Sequence, residues 1–271
     1  MNLKKFYNKH WKKLMILPVI LFLLSCTILY SNYLSTGEFI NKDVSLKGGY
    51  LITIKTDVDL SDEYNSRELV SVGSGKKLGY TIEYGGNDID NFMMKLSDEA
   101  NSNEYSIEEL SPSIANRFWD GTIKAVSIAI LAMSGVMLLY FRKLVPAIGI
   151  IIAGISNIVN TLAVLNLIGI NLSSSGIAAI LMLLGYSIDS NIVLTARAIK
   201  DKHQKLDERI YSAFETGMTM TLTSIVALTI LYLTSSAEIL KIISVTLIIG
   251  LVFDVINTWI QNAGILRYAL K

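Results

Sequence analysis

Residues 173–198 are largely Ile, Leu, Ala, Met and Val, yet the polar stretch Gly185-Tyr186-Ser187-Ile188-Asp189-Ser190-Asn191 stands in the middle of them. A run of this length and composition fits a helix crossing a bilayer, since a helix satisfies its own backbone polar groups where no water can. An ionisable side chain near its centre costs roughly 2.5–3.5 kcal/mol to insert. Asp189 is therefore expected to have a chemical task or a partner. The plainer alternative is a structural Asp that caps a kink or bonds a neighbouring helix.

Five further apolar runs occupy residues 14–34, 122–141, 144–168, 214–233 and 239–266. With 52% hydrophobic and 17% charged residues and a mean hydropathy of +0.47, disorder is excluded and a polytopic α-helical membrane protein is expected. At ~1.5 Å per residue, the 14–34 run reaches across the ~30 Å hydrocarbon core. Its rival reading is a secretory signal, because Leu23-Leu24-Ser25-Cys26 looks like a lipoprotein cleavage box. The apolar run continues past the cysteine, which favours an uncleaved anchor. Cys26 is the single cysteine, so no intrachain disulfide is available. No basic patch with interleaved aromatics suggests nucleic acid.

Residues 35–117 change character, carrying 8 basic against 15 acidic residues with Gly-rich punctuation. They read as a small α+β domain outside the membrane between the first and second spans. After Lys47-Gly48-Gly49, residues 50–56 alternate as a strand, and Leu78, Tyr80, Ile82 and Tyr84 share one face of another. Residues 62–72 are weakly patterned as a helix. A second helix is expected over 88–100, with Ile89, Phe92, Met93 and Leu96 on one face and Asn87 as N-cap. A last strand is expected over 104–109, completing a βαβαβ order.

Six spans and one large loop determine which segments share a side of the membrane. The N-terminus contributes five basic residues, Arg142-Lys143 two, residues 197–209 five, and Arg267 with Lys271 two; all fourteen fall on one side. The opposite short loops, 169–172 and 234–238, contain no Lys or Arg. The positive-inside rule thus predicts cytoplasmic termini, 1–13 and 267–271, and an extracytoplasmic domain.

Asp254 is the second intramembrane carboxylate. Asp254, Asn257, Thr258 and Gln261 make one stripe at i, i+3, i+4 and i+7 of the last span; Asn157, Asn160 and Thr161 share a face of the third, and Thr216, Thr219 and Thr223 a face of the fifth. Polar groups in lipid need partners, so four helices are expected to turn these faces together around Asp189. The candidate proton relay or polar network is Asp189, Asp254, Ser187, Ser190, Asn191, Asn157, Asn160, Thr219, Thr223, Asn257 and Thr258. Simple interhelical hydrogen bonding is the alternative, at ~0.6–2 kcal/mol per contact. No cofactor site, metal-ligand spacing or nucleophile triad is visible. His10 and His203 lie in basic segments and are expected to be solvated.

Gly185-Tyr186-Ser187-Ile188-Asp189, Thr216-Gly217-Met218-Thr219-Met220-Thr221-Leu222-Thr223, Ile249-Gly250-Leu251-Val252-Phe253-Asp254 and the following Thr258-Trp259-Ile260-Gln261-Asn262-Ala263-Gly264 together resemble the SecF family, especially its archaeal form. Lys47-Gly48-Gly49 and Phe141-Arg142 with Pro146 are similar to its signatures near the first and second spans. The resemblance runs the full length and is weakest in the external domain. It implies a membrane half similar to proton-driven RND transporters, a SecD partner, and an accessory role with the Sec translocon channel in exporting secreted polypeptides across the cell membrane, coupled to the proton motive force. Bacterial relatives carry Asn-Asp where this chain has Asp189-Ser190, which displaces the carboxylate by roughly 100° around the helix. Arg197 occupies roughly the place of a basic residue there, or anchors the span at the interface.

Two other functions compete. An RND-like exporter of lipids or small molecules would use the same bundle. An intramembrane aspartyl protease would use Asp189 and Asp254 as a dyad, but neither Tyr-Asp nor Gly-x-Gly-Asp occurs at these carboxylates, so a non-enzymatic role is expected.

Overall fold

The structure, a computed structural model, describes residues 3–60, 64, 66–70, 77–86, 88–102, 104–200, 204–235 and 237–270. The chain opens with α1 (Leu3–Leu14) and α2 (Ile16–Thr36). A short α3 (Val44–Lys47) leads into β1 (Gly49–Ile54), β2 (Ser66–Val70), β3 (Lys77–Tyr84), α4 (Ile89–Ala100) and β4 (Tyr105–Leu110). Then come α5 (Pro112–Phe141), α6 (Leu144–Leu167), α7 (Ser174–Lys200), α8 (Leu206–Thr234), α9 (Glu238–Ile256), a π-helical turn (Asn257–Asn262) and α10 (Ala263–Leu270).

Among the described residues, six helices are long and apolar enough to cross a membrane: His10–Thr36, Pro112–Phe141, Leu144–Leu167, Ser174–Ile199, Leu206–Thr234 and Glu238–Leu270. Two start earlier than hydropathy suggests. Helix α5 begins at Pro112, where the missing N–H costs nothing in a first turn, and runs about ten residues before its apolar part. Helix α8 likewise opens on the acidic first turn Asp207-Glu208, favourable at a helix N-terminus. Helix α6 is the most enclosed of the six. It packs against α2, α5, α7 and α9, and α7, α8 and α9 pack on one another. Small side chains on α6, among them Ala147, Gly149, Ala153, Gly154 and Ala163, are buried, and their size lets the neighbouring backbones come close.

The sheet has the order β2-β3-β1-β4 and is antiparallel throughout, with Ile52 opposite both Ile82 and Ile107. Alternation sends Ile52, Ile54, Tyr80 and Ile82 to one face, where Met93, Leu96 and Ala100 of α4 close a small core. Residues 66–70, expected as part of a helix, are strand β2. Pairing with β3, Glu68 opposite Tyr80, overrides a weak helical pattern. The cap of α4 is Asp88, whose carboxylate accepts from Asn91 N–H at 3.2 Å. Asn87, expected in that role, lies outside the described residues, as does His203.

Backbone pairing ties the domain to the bundle. Asp43 N–H donates to Leu172 C=O at 3.0 Å and Leu172 N–H to Asn41 C=O at 2.7 Å, while Asn166 Nδ2 donates to Phe39 C=O at 2.8 Å. The Gly48-Gly49 pair turns the chain into β1 with φ of 85° and 136°, a region that favours glycine. A Cβ on Gly48 would stand 2.6 Å from the Pro112 backbone, so the glycine also lets the domain sit against the start of α5.

Candidate functional site

The polar faces of α6, α7 and α9 meet inside the bundle, and the group at their centre is Asp254. Its side chain is fully buried. Asn157 Nδ2, from α6, donates to Asp254 Oδ1 at 2.7 Å and to Ser187 Oγ of α7 at 3.0 Å. Thr258 Oγ1 donates to the same carboxylate oxygen at 3.1 Å, and Ser187 and Ser190 flank it. Asn257 Nδ2 donates to Asn157 Oδ1 at 2.5 Å. One turn along α7, Asn191 Nδ2 donates to Ser187 C=O at 2.7 Å and to Thr258 Oγ1 at 3.3 Å, and its Oδ1 accepts from Asn262 Nδ2. Asn157, Asn191, Asn257, Thr258 and Asn262 are all buried. Among the described residues, Asp254 Oδ2 and both amide atoms of Asn160 have no hydrogen-bond partner.

The expectation that the polar faces converge on Asp189 is therefore corrected. Asp189 is exposed, on a stripe of α7 with Met182 (43% exposed) and Tyr186 (41%), whereas Ser187, Ser190 and Asn191 turn inward. At ~100° per residue, Asp189 stands about 200° around the helix from both Ser187 and Asn191, and so faces away from the side that they bury. Thr219 and Thr223 do not join the cluster either. Both are exposed on α8 and bond their own helix, to the carbonyls of Glu215 at 2.9 Å and Thr219 at 3.0 Å. Three helices rather than four build the site. Helix α8 contributes Gly217 instead, where a Cβ would lie 2.0 Å from Trp259 Cζ2.

The π turn was not legible from spacing. In it Ala263 N–H is shared between the carbonyls of Ile260 and Thr258, three and five residues back, instead of going to Trp259 as an α-helix requires. The Tyr7 hydroxyl of α1 donates to the Trp259 carbonyl in its place. The extra residue per turn keeps Asn257, Thr258, Trp259 and Asn262 all buried. Asn262 follows Thr258 by four residues, the one signal that could have added it to the candidate list.

At the basic end of the bundle, Arg267 is fully buried. Its Nε is 3.5 Å from Asp207 Oδ1, and its guanidinium lies 4.5 Å from the Tyr7 ring centroid and 5.9 Å from that of Trp11. Burial pushes the Tyr7 phenol above its ordinary range, with Arg267 opposing and Asp207 reinforcing, so the hydroxyl stays a donor at neutral pH. Arg197 Nη1 donates to Ser212 C=O at 2.8 Å. That bond ties α7 to α8.

A family model described as protein export membrane protein SecD/SecF, C-terminal, matches residues 91–271. The chain is 36% identical to the protein-export membrane protein SecF of Methanocaldococcus jannaschii over 96% of both chains. It is 34% identical to that of Pyrococcus furiosus over 94% of this chain and 90% of the relative. Its fold is similar to the crystal structure of SecDF, a translocon-associated membrane protein, from Thermus thermophilus. That match has a TM-score of 0.72 at 15% identity and covers all of this chain and 39% of the other. Full-length similarity to relatives of one name, with a family model over most of the chain, means that this polytopic membrane protein belongs to the SecF family of protein-export membrane proteins.

Proposed function

We propose that the chain is an accessory subunit of the Sec protein-translocation machinery. In this reading it works beside a SecD-like membrane partner and the translocon channel to promote export of secreted polypeptides, and draws on the proton gradient through Asp254. One observation carries the proton step: the fully buried Asp254 is held at once by groups from α6 and its own helix, with α7 serines alongside. Gain or loss of a proton there changes what Asn157 and Thr258 can donate to, and so biases the packing of three helices. A proton crossing 100 mV supplies about 2.3 kcal/mol, enough to shift a two-state bundle some fiftyfold.

Two further features complete the reading. The one-sided basic loops favour cytoplasmic termini and an extracytoplasmic β domain in the cell membrane. The exposed stripe of Met182, Tyr186 and Asp189 suits a face turned to the partner, because a carboxylate facing hydrocarbon is costly. A protease dyad does not fit, since one aspartate turns outward while the other is enclosed.

The test is export of a secreted reporter together with recovery of the partner complex. Asp254→Asn, nearly isosteric, should keep the complex and lower export at least tenfold. Asp189→Lys should reduce recovery of the complex. Normal export by Asp254→Asn would overturn the proton step; full recovery with Asp189→Lys would overturn the partner face.

A further inference from the structure

Between α5 and the α6–α7 pair, at the end nearest the β domain, lies a cavity of about 250 Å³ lined by Ile40, Trp119, Val126, Leu162, Leu172 and Ile177 among others. The two hydroxyls on its wall are already engaged within α5: Thr122 Oγ1 donates to Phe118 C=O at 2.9 Å and Ser127 Oγ to Ile123 C=O at 2.8 Å. A site without free polar groups does not hold water. An apolar space of this size takes several methylene groups of a hydrocarbon chain.

The rim has the opposite character. Lys42 is pinned there by its bridge with Leu172, and its ammonium sits 4.2 Å from the Trp119 ring centroid. Among the described residues it has no carboxylate partner. The ring covers one side of the ammonium and leaves donors for an anion. A cation and a tryptophan at the mouth of a dry apolar slot match a negatively charged headgroup above a hydrocarbon tail.

We infer that this cavity is a binding site for one anionic lipid, its chain between α5 and α6 and its phosphate on Lys42. The site lies apart from the Asp254 cluster and does not depend on the proton step.

The complex with its membrane partner would be reconstituted in vesicles of equimolar phosphatidylglycerol and phosphatidylcholine with matched chains, then released for native mass spectrometry. The wild type should retain one phosphatidylglycerol, enriched about fivefold over phosphatidylcholine, the size of effect one lysine gives beside an anionic lipid. Lys42→Gln should bring the ratio to parity and Lys42→Arg should preserve it. Val126→Phe, which fills the slot, should lose both lipids, and inorganic phosphate should not displace the bound one. Equal retention of the two lipids by wild type, unchanged enrichment in Lys42→Gln, or displacement by phosphate alone would each overturn the site. So would a lipid-free wild-type complex, the result if a partner helix fills the slot.

Discussion

Asp254 and Asp189 show how the same residue type, in the same membrane, takes opposite positions. Asp254 is enclosed by amides and hydroxyls; Asp189 faces outward two residues after the inward Ser187. The motif made both visible, but helical periodicity tells which residues share a face, not which face meets a neighbour. Thr219 and Thr223 misled for a related reason. A threonine that donates to the carbonyl four residues back satisfies its own hydroxyl and can face outward at little cost. A buried amide has an acceptor as well as two donors to satisfy, so Asn257 bonds Asn157 and Asn262 bonds Asn191 across helices. Asp254→Leu should accordingly be far more damaging than Asp254→Asn. It strips the acceptor from Asn157 and Thr258, about 1–3 kcal/mol for each group left unpaired, and should appear as a large loss of thermal stability of the purified complex. Gly217→Leu should also destabilise, by about 1–3 kcal/mol or more, because the new side chain must displace Trp259; Ser224→Leu on the half-buried side of the same helix is the control and should change the melting temperature little.

The last membrane segment is the element that most departs from regularity. Its π turn holds the residues next to Asp254 at a spacing no α-helix offers, and α1 supplies the hydroxyl that the turn requires. The N-terminal helix is thus part of the support of the polar cluster. Tyr7→Phe should keep the aromatic stack on Arg267 yet leave the Trp259 carbonyl without its donor, lowering stability by about 1 kcal/mol, measurable as a drop in melting temperature. Asp207→Asn should also destabilise, by about 1–3 kcal/mol, because it takes the carboxylate away from a guanidinium that is fully buried. In the β domain, β2 was hidden for the converse reason: a short polar strand has no pattern of its own and is specified by the strand it pairs with, whereas the alternation of β3 and the apolar spacing of α4 are visible locally.

At the scale of the whole molecule, the orientation can be checked directly. In a Cys26→Ala background, Asp98→Cys in the β domain should label from outside intact cells and Lys205→Cys before α8 only after permeabilisation; labelling of both from one side would contradict the charge argument. The number of membrane helices, the position of the separate domain and the two buried-carboxylate candidates followed from the sequence alone. Hydrophobic length and charge asymmetry are additive along a chain, and each span reports on itself. The identity of the central carboxylate, the outward turn of the α8 threonines, the π turn and its tie to Tyr7 were decided only by tertiary packing. Each of those depends on which helix lies opposite, a relation between residues as far apart as Tyr7 and Trp259 that no local pattern contains.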